Sequence, residues 1–191
     1  MHHREFNQLS WIKKSLLLLL LTIPITLLAK KFNLNSISII ASAILTIISL
    51  ILEKRTITIK NNYLLWAVLA YFTFLLLFVI QAQDLVDGFK IIQKKLPLLI
   101  LPFLIYLNRD LISKNITLFY KVFIAAVVFA AFYCLVQIIG DWQLSGKTFK
   151  ELFTYYRFTS SYFSNKLDIH PSYFSNFILL AIIFINQLIE H

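Results

Sequence analysis

From Tyr63 to Ala82 the chain runs twenty residues without one charge, and it opens on Tyr63 and Trp66. A hydrocarbon core ~30 Å thick needs ~20 apolar residues in a helix to cross it, and Tyr and Trp gather where its interior meets the headgroups. This stretch has the length, the apolarity and the aromatic edge of a membrane span. The rest of the sequence has the same character. Only 14% of the residues are charged and 59% are hydrophobic, against ~25% charged in soluble domains. So few charges cannot cover a water-facing surface.

Further apolar runs fall at residues 16–29, 34–52, 118–139 and 173–189, with one more at 91–107. The first is short, but Lys13-Lys14 and Lys30-Lys31 flank it and can snorkel. Pro24 interrupts it, and lysines stand where a signal peptidase would need small residues. It reads as an uncleaved first helix. The fourth run is the unusual one. Its apolar part, Leu96 to Leu107, has only twelve residues and holds Pro97 and Pro102. That length suits a re-entrant piece as well as a span. Just upstream, Leu85, Phe89, Ile92 and Leu96 recur at helical spacing, while Asp84, Asp87, Lys90, Lys94 and Lys95 fall mostly opposite. The pattern predicts an amphipathic helix, lying in the interface or leading into the fourth span. The favoured reading is the second. The expectation is an all-α, polytopic transmembrane helical bundle of about six spans, forming a single membrane domain over residues 1–191.

Composition excludes several kinds of chemistry. The three glycines, Gly88, Gly140 and Gly146, cannot supply a dinucleotide-binding turn or a P-loop. The one cysteine, Cys134, supports neither an internal disulfide nor a Cys-based zinc site, and it reads as a packing residue. Net charge is +9. Because the basic residues sit between apolar runs, membrane anchoring and anionic lipid explain the charge, and no nucleic-acid partner is expected. Charge does not orient the bundle. With six spans and the N-terminus inside, each side carries nine Lys and Arg residues. Setting aside the four in the long 141–171 loop favours an inside N-terminus and a periplasmic loop.

That loop and the helix entry after it carry the chemical candidates: Y-Y-R-F-T-S-S-Y-F-S-N-K-L-D-I-H-P-S-Y-F-S-N, residues 155–176. The other arginines, Arg4, Arg55 and Arg109, sit in charge clusters, whereas Arg157 stands between aromatics. A guanidinium presents a planar fork that matches a phosphate bidentately. The simpler reading is an interfacial arginine packed on Tyr155, Tyr156 or Phe158. His170-Pro171 has a structural reading too, as a rigid turn opening the last helix, with Asp168 or Ser172 placed to cap it.

Three stretches carry a family resemblance. Lys94-Lys95-Leu96-Pro97-Leu98-Leu99-Ile100-Leu101-Pro102 is similar to a Lys-Leu-Pro-Leu-rich fourth span. Arg157-Phe158-Thr159-Ser160-Ser161-Tyr162-Phe163 is similar to an Arg-x-(Ser/Thr)-Gly-x-Phe element. Asp168-Ile169-His170-Pro171-Ser172-Tyr173-Phe174 is similar to a His-Pro-(Ser/Thr)-Tyr entry into a central helix. In that order they resemble the N-terminal half of the O-antigen ligase and O-antigen polymerase family. Ser161 stands where that family often has glycine.

The resemblance implies a multi-pass protein of the bacterial inner membrane. It implies transfer of a glycan from an undecaprenyl diphosphate carrier to a polysaccharide or lipid acceptor, with no metal or cofactor. Arg157 would contact the carrier's diphosphate, and His170 would belong to the helix-entry motif. Family members place further Arg and His residues in a second half, so the expected partners include a second polypeptide supplying it, besides membrane lipid. Two other readings stand beside this one: a small polytopic transporter or flippase subunit, and a non-catalytic membrane partner.

Overall fold

A computed structural model describes residues 2–27, 34–54, 62–80, 85–146, 148, 150–151, 163–167 and 169–190. Among these residues there are seven α-helices. They are α1 (His2–Leu27), α2 (Leu34–Glu53), α3 (Tyr63–Ile80), α4 (Leu85–Leu107), α5 (Arg109–Lys114), α6 (Ile116–Ser145) and α7 (Pro171–Glu190). A single turn of 3₁₀-helix, Ser164–Leu167, precedes α7. The chain divides into two compact units, Met1–Leu20 with Ser36–Lys114, and Leu21–Asn35 with Asn115–His191.

In the first unit, α2 is inside out relative to a helix from a soluble protein. Its buried residues are Ser38, Ile39, Ser42, Thr46 and Ser49. Its exposed ones include Ile37, Ile40, Ile44, Ile47 and Ile51. In water this arrangement would cost the burial of polar groups and the exposure of alkyl surface together. In lipid the outer isoleucines are solvated by acyl chains, and small polar residues let neighbouring helices approach. Thr46 Oγ1 donates to the Ser42 carbonyl at 2.7 Å, which satisfies one of these hydroxyls within the helix itself.

α3 packs against α4, and Gly88 sits directly against Val79 in that contact. A Cβ built on Gly88 would lie 2.8 Å from Val79 Cγ1. The missing side chain is what lets the end of α3 meet the start of α4.

α4 differs from a short re-entrant piece. It is one continuous helix of 23 residues through Pro97 and Pro102. Each proline withholds an N–H, here from the carbonyls of Gln93 and Leu98, a defect that helices in lipid tolerate. From Gly88, beside Val79, to its last turn is about 30 Å at 1.5 Å per residue, the depth of a hydrocarbon core. The amphipathic stretch and the apolar stretch are therefore one element, and the charges of Asp87, Lys90, Lys94 and Lys95 occupy its first half. The expected connection at 108–117 is also mostly helical, since α5 fills it between Asn108 and Asn115.

In the second unit, α6 packs against α7. The core is Val127, Ala130, Phe174 and Ala181 with Ile169. Alanines at the contact allow close packing, and Cys134 is fully buried on α6. An aromatic group holds the other end. Tyr120 stacks on Phe184 at 4.4 Å, and Phe123 meets Phe184 edge-on at 5.2 Å. The lipid-facing side of α6 carries Phe129 at 72% exposure and Phe132 at 62%.

α6 overruns its expected end at Ile139 and continues to Ser145. Gly140 stays helical, and Gly146, at φ 68°, ends the helix in the left-handed conformation that glycine adopts without strain. The first residues of the expected 141–171 loop are thus the last turn of a helix.

Among the described residues, four helices, α2, α3, α6 and α7, are long and apolar enough to cross a membrane. With the inverted burial on α2, they define an all-α helical membrane protein.

Candidate functional site

The loop-side region lies in the second unit. Asp141 in the overrun of α6 accepts a charge-assisted hydrogen bond from Lys166 of the 3₁₀ turn. This pair ties the turn down onto the helix end. Trp142 Nε1 donates to the Thr148 carbonyl at 3.1 Å, and Thr148 in turn donates to Glu151 Oε2 from its amide at 2.7 Å and its hydroxyl at 2.9 Å. Ser164 is buried, and its carbonyl accepts from Ile169 N–H at 3.2 Å. Phe163 packs on Phe174 with ring centres 5.9 Å apart. Chain on both sides of the 3₁₀ turn is thereby anchored to the membrane helices.

His170 sits at the mouth of α7 and is exposed. Its Nδ1 accepts from Ser172 N–H at 3.3 Å, and its carbonyl accepts from Tyr173 N–H at 3.0 Å and Phe174 N–H at 3.2 Å. With Pro171 at the first helical position this is N-cap geometry. The sequence suggested Asp168 or Ser172 as the cap. Asp168 lies outside the described residues, and among the described ones His170 itself does the capping while Ser172 supplies the capped N–H. Arg157, with the stretch 152–162 around it, also lies outside the described residues.

A second polar region, which sequence reasoning missed, lies in the first unit. A cleft of about 420 Å³ opens at one end of its helices. Lys13 of α1 pairs with Glu53 at the end of α2, Nζ to Oε1, at 3.1 Å. Ser49 Oγ, one turn earlier on α2, donates to the same oxygen at 2.9 Å. A carboxylate at a helix C-terminus opposes the helix dipole, and the lysine and hydroxyl offset that. Asn108, between α4 and α5, is 7% exposed. Its Nδ2 donates to Thr46 Oγ1 at 2.9 Å and to the Leu104 carbonyl at 2.9 Å. Asp110 and Lys114 complete the polar wall. The signal for this cleft was the spacing of Ser38, Ser42, Thr46 and Ser49, which places four small polar groups along one side of α2.

Among the described residues, no three His, Cys, Asp or Glu side chains converge to hold a metal ion. The chain has, among the described residues, the features of a helical membrane protein whose charged pairs stand near helix ends, with a row of small hydroxyls along α2. No protein-family model, curated protein or solved structure matches the chain.

Proposed function

We propose that the chain is the N-terminal part of a membrane glycosyltransferase of the O-antigen ligase and polymerase type, seated in a bacterial inner membrane. It would move a glycan from an undecaprenyl diphosphate carrier to a polysaccharide or lipid acceptor. The observation that supports this reading is the seating of the third motif. His170-Pro171 opens a long apolar helix, α7, and the polar turn before it is tied to the end of α6 through Lys166 and Asp141. In this reading the turn held there stands at headgroup depth, where the diphosphate of a lipid carrier would lie.

The chemistry requires little from the protein beyond placed charge. Breaking the sugar–phosphate bond leaves negative charge on the diphosphate, and a fixed guanidinium stabilises it as it develops. In this reading Arg157 is that group. Arg157→Lys keeps the charge and loses the bidentate fork. In an assembly carrying a C-terminal half, fused or co-expressed, the variant is expected to lose ~10²–10³ in transfer rate, the scale for one preorganised donor. Arg55→Lys is the control and leaves transfer near normal. The readout is glycan transfer at equal membrane abundance. Wild-type transfer by Arg157→Lys would overturn the assignment.

A further inference from the structure

The polar cleft of the first unit borders a second concavity of opposite character. A groove of about 330 Å³ runs between α2, α3 and α4, walled by Ala43, Ile47, Leu69, Leu99, Phe103 and Leu104. The two share a partition. Asn108 lines the cleft and donates to Thr46, which lines the groove, and its second N–H goes to the carbonyl of Leu104, another groove residue. The cleft lies at headgroup depth, because Lys13, Glu53 and Asn108 all stand at the edges of apolar runs. The groove extends from there along the apolar second half of α4, as far as Leu99.

A polar, charged end joined to an apolar trough is the division of chemistry found within one lipid. The charges select the headgroup. Lys13 and Lys114 suit a phosphate, while Glu53 and Asp110 suit a cation. A purely anionic headgroup would meet two carboxylates, Glu53 paired with Lys13 and Asp110 with Arg109 at 3.7 Å, and would use neither. A quaternary ammonium would bring no N–H to donate to them, and none of the described residues lining the cleft is aromatic, so it would find no cation–π cage. A primary ammonium donates to carboxylate oxygens, each of which accepts more than one hydrogen bond, so Glu53 can keep Lys13 and Ser49.

We propose that the first unit binds a glycerophospholipid of the phosphatidylethanolamine class, with phosphate and ammonium in the Lys13–Glu53–Asn108–Lys114 cleft and one acyl chain in the α2–α3–α4 groove. The proposal does not depend on glycosyl transfer.

The test is native mass spectrometry of the full chain in detergent, offered an equimolar mixture of phosphatidylethanolamine, phosphatidylcholine and phosphatidylglycerol with identical acyl chains. Phosphatidylethanolamine is expected to be retained about tenfold over either competitor, the scale of one charge-assisted hydrogen bond. Glu53→Gln removes the carboxylate and should erase the advantage over phosphatidylcholine, with circular dichroism confirming an intact fold. Should that variant fail to fold, Asp110→Asn, at a more exposed position, should narrow the same advantage. Ala43→Phe fills the groove and should lower retention of all three lipids. Equal retention of the three lipids, preference for phosphatidylglycerol, or an advantage unchanged in the folded carboxylate variants would each overturn the proposal. Displacement of the lipid by free phosphoethanolamine at the same concentration would overturn it too, because it would show that the groove contributes nothing.

Discussion

Asn108 spends both amide N–H groups on bonds inside the first unit, one to Thr46 and one to the Leu104 carbonyl. Interhelical hydrogen bonds in membrane proteins average ~0.6 kcal/mol and reach ~1.7. Asn108→Ala is expected to lower unfolding free energy in bicelles by about that amount, and Thr46→Val to overlap with it in a double-mutant cycle rather than add. Full additivity would mean the contact is energetically idle. His170 makes a different test. His170→Asn keeps an N-cap acceptor and should leave α7 intact, whereas His170→Ala should cost about 0.5–1 kcal/mol of stability. Loss of transfer in a stable His170→Asn protein would assign the imidazole a role beyond the cap. The residue scale is where the sequence said least. A hydropathy window sees an amide after an apolar run as a boundary, so Asn108 passed as the end of a span. Its role emerges only when the hydroxyl side of α2 is set opposite. His170 was visible through its proline, but a histidine cap has no reliable signature, because Ser, Thr, Asp and Asn dominate that position.

At the scale of elements, the α3–α4 contact depends on an absent side chain. Gly88→Ala would drive a methyl group into Val79, a β-branched residue with little freedom to turn aside. Overpacking of this kind costs about 1–3 kcal/mol. The expected result is a lower melting temperature in detergent, restored in the Gly88→Ala/Val79→Ala pair. No rescue by Val79→Ala would mean that the strain lies elsewhere. The existence and rough extent of the apolar helices were legible, since some twenty consecutive uncharged, mostly apolar residues leave few alternatives in lipid. Continuity was less so. Pro97 and Pro102 suggest a break by the rules of soluble helices, yet α4 runs through both. The apolar run of α6 ends at Ile139, but the left-handed turn falls at Gly146, where the helix has already left that run.

On the scale of the whole molecule, orientation is tested by labelling. In a Cys134→Ala background, Ser145→Cys and Ser172→Cys place thiols at exposed positions near the loop, and Ser113→Cys places one at the other end of α6. Ser164 is buried and would report packing rather than sidedness. With the loop periplasmic, an impermeant reagent should modify the first two when only the outer membrane is permeabilised, and Ser113→Cys only after inner-membrane lysis. The reverse pattern would sink the periplasmic site and the glycosyl-transfer reading with it. α3 precedes α4 in the chain, and the two are unequal candidates for entry into a membrane. α3 carries no charge, while α4 begins with four charged side chains that oppose partitioning on their own. The notch at Gly88 fits the start of α4 to Val79 at the end of α3. α4 is in this sense a dependent element: its charged start is matched to a neighbour that meets the length and apolarity of a span, as α4 by itself does not.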